Sequence, residues 1–188
     1  TLIMTSNNSI QLGAYQLVIG SGGITGAFSL NRSILTNGLS SDKGLKHMIT
    51  SANNGQTIWY PFSTSKGYTP GRIVVTSVTT DGYYTLVPVK SPHPTADPTK
   101  IPPTDLLDYF WRGTASSVVG SATLYLEYYN SIIDNNQWDW RYVNNAWTTG
   151  ANGNVDNHTL TFSNIGFVTG DFSAGKISTY RNPTTFYS

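Results

Sequence analysis

The stretch Arg72-Ile73-Val74-Val75-Thr76-Ser77-Val78-Thr79-Thr80-Asp81-Gly82-Tyr83-Tyr84-Thr85-Leu86-Val87-Pro88-Val89 decides how the chain is read. Two runs rich in Val, Ile, Thr and Tyr flank Asp81-Gly82, a pair that favours a two-residue type I′ turn. The spacing therefore predicts a β-hairpin with Asp81 and Gly82 at positive φ. Farther along, Ser121 to Tyr129 alternates strictly. Ala122, Leu124, Leu126 and Tyr128 fall on one face, and Ser121, Thr123, Tyr125 and Glu127 on the other, as expected of a strand with one face on a core. Shorter β-favouring runs, each bounded by Gly, Asn, Asp or Ser, cover 13–19, 24–30, 58–62, 138–143, 158–162, 166–168 and 176–180.

Helical periodicity is almost absent. Residues 41–51 could hold one short helix, and Thr104 could cap another running to Phe110 with Asp105 in its first turn, both as connectors. Pro88 to Pro103 holds six of the nine prolines and reads as a long surface loop, since proline neither donates within a ladder nor continues a helix. Taken as a domain boundary, it would leave two halves of roughly 90 residues, each short of strands for its own sandwich. The expected architecture is one all-β domain over residues 1–188: an antiparallel, jelly-roll-like β-sandwich with one or two short helices in its loops.

Composition narrows the function. Charged residues make up 11% of the chain, against about 25% in average proteins, and the formal charge is +1 with no run of Lys or Arg. Such a chain has no field for a polyphosphate, so no nucleic-acid partner is expected. No apolar stretch approaches the roughly 20 residues of a membrane span, so membrane insertion is not expected either. Zero Cys excludes disulfides, thiol catalysis and thiolate metal sites. The chain opens on Thr1 rather than Met, so the expectation is a domain excised from a longer polypeptide. Sequons at Asn7, Asn31 and Asn157 are no more than chance predicts in so Asn-, Ser- and Thr-rich a chain.

Catalytic motifs are missing. There is no G-x-S-x-G and no phosphate-binding glycine loop, and Gly20-Ser21-Gly22-Gly23 reads as a turn. His47, His93 and His158 are scattered and read as surface or loop residues. A single Glu, Glu127, with nine Asp offers little to an acid–base pair, so the reading is non-enzymatic. No cofactor is expected. Asn152, Asn154 and Asp156 alternate like Ca²⁺ ligands, but Asn157 and Ser163 stand where an EF-hand needs Gly and Glu, which leaves an irregular Ca²⁺ site as the alternative to an Asn-rich turn.

The densest constellation is Trp138-Asp139-Trp140-Arg141-Tyr142 followed by Trp147. On a strand, Trp138, Trp140 and Tyr142 share one face and Asp139 and Arg141 the other. That stripe suits core packing, an oligomer interface or a ligand platform on which sugar rings stack. Together with Asn152, Asn154 and Asp156, these residues are the candidate ligand-binding set. Trp59-Tyr60-Pro61-Phe62 reads as core.

Val119-Gly120-Ser121-Ala122-Thr123-Leu124-Tyr125-Leu126-Glu127-Tyr128 resembles the Gly-led, alternating strand of coat proteins from small non-enveloped RNA viruses of the nodavirus, tombusvirus and tetravirus kind. The resemblance covers about ten residues, and the Thr-, Ser-, Gly-, Asn- and Tyr-rich, Cys-free composition accords with it. Lacking the basic arm that precedes a shell domain, the chain is similar rather to the protruding domain. What the resemblance implies is a structural role on the virion surface, self-association into homo-oligomers and attachment to a host-cell receptor or glycan. The alternative is an extracellular carbohydrate-binding β-sandwich module, of the lectin or adhesin-head kind.

Overall fold

The computed structural model describes residues 1–95, 107–128, 137–143, 146–149 and 158–176, with backbone pairing alone for 137–143, 146–149 and 176. Within them the fold is all-β, and the one helical feature is a 3₁₀ turn, Ser51–Asn53. The expected helix over 41–51 is instead a strand followed by that turn. Gly44 to Ile49 alternates, with Leu45, His47 and Ile49 buried and Lys46 and Met48 half-buried, and period 2 prevails over a weak helical signal. The other expected helix begins at Thr104, outside the described residues; Leu107 to Tyr109 is irregular and Phe110 already lies in a strand.

The N-terminal third is a parallel winding. A first coil contributes β1 (Leu2–Met4), β2 (Ile10–Gly13) and β3 (Gln16–Ile19), and a second contributes β4 (Ile24–Gly26), β5 (Ile34–Thr36) and β6 (Gly44–Ile49). A third begins with β7 (Thr57–Tyr60) and β8 (Phe62–Thr64), after which the short β9 (Gly67–Tyr68) turns back on β8. The ladders β1–β4, β2–β5–β8 and β3–β6 are all parallel, one on each of three faces. Each coil places apolar residues inward: Met4, Leu12 and Ile19, then Ile24, Ile34 and Leu45, then Ile58, Tyr60 and Phe62.

The sandwich is built onward from β6 and β7. The remaining strands are β10 (Gly71–Thr80), β11 (Gly82–Val89), β12 (Phe110–Ser116), β13 (Val119–Glu127), β14 (Gln137–Val143), β15 (Ala146–Thr149), β16 (Thr159–Gly166) and β17 (Gly170–Lys176). From β7 the chain builds an antiparallel sheet ordered β16-β13-β10-β7, and from β6 a sheet ordered β15-β14-β17-β12-β11-β6-β3. Their inner faces meet: Phe162 and Phe172 stack edge to face at 5.0 Å, the Tyr60 hydroxyl donates to Tyr84 O at 3.1 Å, and the buried Trp111 donates from Nε1 to Thr69 O at 3.2 Å. The all-β sandwich is thus as expected, but its parallel ladders depart from a jelly roll, whose two sheets are antiparallel.

The predicted hairpin does not form. β10 pairs with β7 and β13, β11 pairs with β6 and β12, and the two never pair with each other. At Asp81-Gly82 the chain crosses from one sheet to the other, so Ile73, Val75 and Val78 face Tyr84 and Leu86 across the core. Neither Asp81 nor Gly82 has positive φ. Gly82 is needed for another reason: a Cβ there would overlap the backbone of Ser116, Ser117 and Val118, where β12 crosses back to β13. Asp81 Oδ1 accepts from the Ser51 N–H at 3.2 Å instead of serving a type I′ turn.

Pro88 and Val89 belong to β11, not to a loop. Proline is tolerated because β6 pairs with β11 only from Gly82 to Leu86, so at Pro88 a single neighbour, β12, remains. Residues 90–95 are irregular, and the rest of the proline-rich segment lies outside the described residues. Smaller corrections concern boundaries. β4 ends at Gly26 rather than 30, residues 166–168 are the end of β16 and a bend rather than a strand, and the strand expected over 176–180 lies, past Lys176, outside the described residues.

Candidate functional site

The outer face of the four-stranded sheet carries one continuous polar and aromatic row. Register aligns Trp59, Arg72, Tyr125 and Thr161 across β7, β10, β13 and β16. Their neighbours Ile58, Ile73, Leu124 and Phe162 form the parallel row on the inner face, all buried, so the period of two forces the first row outward. Each member of the outer row is half-buried.

Arg72 is held between two rings. Its guanidinium carbon lies 4.0 Å from the Tyr125 ring centre and 5.7 Å from that of Trp59, and the Phe28 ring packs tilted against Trp59 at 5.6 Å. Stacking on π-faces fixes the plane of a guanidinium and leaves its N–H fork free to bind in that plane. With adjacent strands about 4.8 Å apart, the two rings span about 10 Å with the cation between them.

Glu127 follows Tyr125 on the same face. Burial raises its pKa, against the opposing pull of Arg72. Burial likewise raises the Tyr68 phenol, with the Glu127 charge adding to the effect. The site therefore offers ring surface, a fixed cationic fork, a carboxylate and a phenol that keeps its proton. That set can stack a flat, partly apolar ligand and hydrogen-bond its hydroxyls.

Of the stretch Trp59-Tyr60-Pro61-Phe62 that the sequence marks as core, Tyr60 and Phe62 are fully buried, whereas Trp59 alternates outward. Tyr125 and Glu127 stand on the face away from the core, as the alternation of their strand predicts. What was absent from the sequence was the register bringing 59, 72 and 125 together.

Of the predicted ligand-binding residues, Trp138, Asp139, Trp140, Arg141 and Tyr142 lie on β14, paired with β15 and β17. The register sets Trp138, Trp140 and Tyr142 opposite Gly175, Ser173 and Asp171, and Asp139 and Arg141 opposite the core residues Ala174 and Phe172. Trp147 on β15 pairs with Tyr142, so these aromatic positions do come together. Asn152, Asn154 and Asp156 lie outside the described residues.

A second polar group sits on the outer face of the larger sheet. Asp171 accepts from Arg112 Nε at 3.0 Å and Nη2 at 3.1 Å, and lies 2.9 Å from His93 Nε2. The Thr95 N–H donates to His93 Nδ1 at 3.2 Å, which assigns the remaining ring proton to Nε2, donating to Asp171. Burial would raise the Asp171 pKa, but the hydrogen bonds from His93 and Arg112 and the charge of Arg112 outweigh it and hold the carboxyl below its ordinary value. With His93 packed edge-on against Phe110, the group clamps residues 90–95 to β12 and β17.

His93 is therefore buried rather than a surface residue, and so is His47; His158 alone is exposed, at positive φ. Among the described residues no three His, Asp or Glu side chains converge as metal ligands, and no helix is long and apolar enough to cross a membrane. Comparison with protein-family models, curated proteins and solved structures finds no match to this chain.

Proposed function

We propose that this chain is a non-enzymatic structural and attachment module whose binding face is the Trp59–Arg72–Tyr125 row, and whose ligand is a carbohydrate. The row carries the reading: two ring faces flank a guanidinium fixed in plane, with Glu127 and Tyr68 beside them on a sheet rather than a loop. Pyranose C–H faces stack on aromatic rings, and a planar fork and a carboxylate suit paired hydroxyls. A site built on strands needs little ordering on binding, which favours useful affinity from a small contact.

The coat-protein resemblance supports a second setting for the same role, on a virion surface with homo-oligomeric assembly. The resembling strand is β13, which supplies Tyr125 and Glu127 to the row. A parent polypeptide with a basic N-terminal arm that assembles into particles would support that setting; a parent that forms none would remove it.

Glycan-array screening followed by calorimetry tests the binding face. The wild type should retain a discrete set of glycans, while Trp59→Ala and Tyr125→Ala should each lose at least tenfold in affinity. Arg72→Lys, which keeps the charge and loses the fork, should weaken binding with little change in thermal stability. Absence of any glycan bound by the wild type, or undiminished binding by all three variants, would overturn the assignment.

A further inference from the structure

The first coil of the winding leaves three parallel strand edges open on the same end of the molecule. β1, β2 and β3 pair only with β4, β5 and β6, and no strand pairs with their other side among the described residues. The Leu2 N–H bonds to Gly23 O at 3.1 Å and the Ile10 N–H to Ser33 O at 2.8 Å, so these residues pair with the second coil. Parallel pairing alternates along a strand, and the amides of Ile3 and Gln11 therefore face away from it.

Inward residues record the same opening. Met4, Leu12 and Ile19 keep 6%, 8% and 8% of their surface, whereas Ile34 and Leu45 one coil farther in keep none. Ile3 and Val18 on the end coil are exposed at 64% and 54%. Natural sheets blunt free edges with charge, proline or bulges, because an open edge templates further strands. Here β1, β2 and β3 carry no charged residue and no proline, and the one irregularity is the register shift at Gln11–Gly13 that ends β2.

We infer that this end is a docking surface for a β-solenoid coil, a segment that adds one parallel strand to each of the three ladders. Continuity with the coil-on-coil interface inside the chain identifies the occupant: β4, β5 and β6 already take β1, β2 and β3 in that manner, at an offset of 22 residues between Leu2 and Ile24. A second copy of this chain is the rival occupant; it would meet these edges through its own first coil, in antiparallel pairing. The inference is independent of the carbohydrate face, which lies on a different sheet.

The test adds a coil. A variant carrying a second copy of residues 1–22 ahead of Thr1 is compared with the 188-residue chain by amide hydrogen exchange and sedimentation. Slowing of Ile3 and Gln11 exchange by at least tenfold, together with protection of the added strands and a raised melting temperature, is the expected result. Unchanged exchange at Ile3 and Gln11 with a protease-sensitive added segment would overturn it, provided β10 and β13 amides show that the sandwich is intact. A concentration-dependent dimer of the 188-residue chain, abolished by Val18→Lys, would assign the edge to a second copy and equally overturn it.

Discussion

His47 sits on β6 between the two layers, fully buried, with its ring edge-on to Tyr60 at 4.8 Å and no hydrogen-bond partner at either nitrogen. Burial pushes its pKa from 6.5 down to about 4, outweighing the opposing effect of the Trp59 backbone. An unfolded chain therefore binds a proton between pH 6.5 and 4 that the native state refuses, so stability falls as pH falls through that window. The loss amounts to about 3 kcal/mol at pH 4. His47→Leu should flatten the dependence of melting temperature on pH between 6.5 and 4; an unchanged slope would place the titration elsewhere. Gly82 gives a second residue-scale test, because two local geometries make opposite demands. A type I′ turn accepts Asn at positive φ, whereas the observed crossing has no room for any Cβ. Gly82→Asn should thus destabilise by about 2 kcal/mol or more, in line with overpacking, and a neutral result would restore the hairpin.

At the scale of elements, the clamp of His93, Asp171 and Arg112 ties an irregular segment to two strands 59 residues apart in sequence. Removing one member strands the others in a poorly solvated place. Asp171→Ala should cost about 2 kcal/mol or more, less than the 3–5 kcal/mol of a fully enclosed pair because the Arg112 side chain is 36% exposed. Limited proteolysis within 90–95 should accelerate at the same time, and unchanged cleavage would mean that the segment is held by other contacts. Because the Asp171 pKa is depressed, its contribution is present above the ordinary carboxylate value near 3.9 and is lost as pH falls below it. This window lies below that of His47, so the two titrations separate experimentally.

Across the whole molecule, the winding and the sandwich share strands: β6 pairs in parallel with β3 and antiparallel with β11, and β7 of the third coil is the edge strand of the antiparallel sheet, paired with β10. One hydrophobic cluster runs from Met4 and Ile34 through Tyr60 to Phe162 and Phe172. Unfolding in urea should accordingly be a single transition, with far-UV circular dichroism and tryptophan fluorescence coinciding. Two separated midpoints would show the winding and the sandwich to be independent units.

Much was legible in the sequence by itself: the all-β class, the inward and outward faces of β13, the strand at Trp138 to Val143, and the absence of charge that a polyphosphate partner would need. These follow from periodicity and composition, which act over a few residues. Which strand pairs with which was not legible, because alternation is the same whether Asp81-Gly82 folds into a hairpin or crosses between sheets. The competing neighbours β6, β7, β12 and β13 decide that, and they come from distant parts of the chain. For the same reason Trp59, Arg72 and Tyr125 appear as a row only after pairing, and the burial of His47 and His93 depends on what packs over them. Local physics sets which way each side chain points along its strand; tertiary structure alone sets what it meets there.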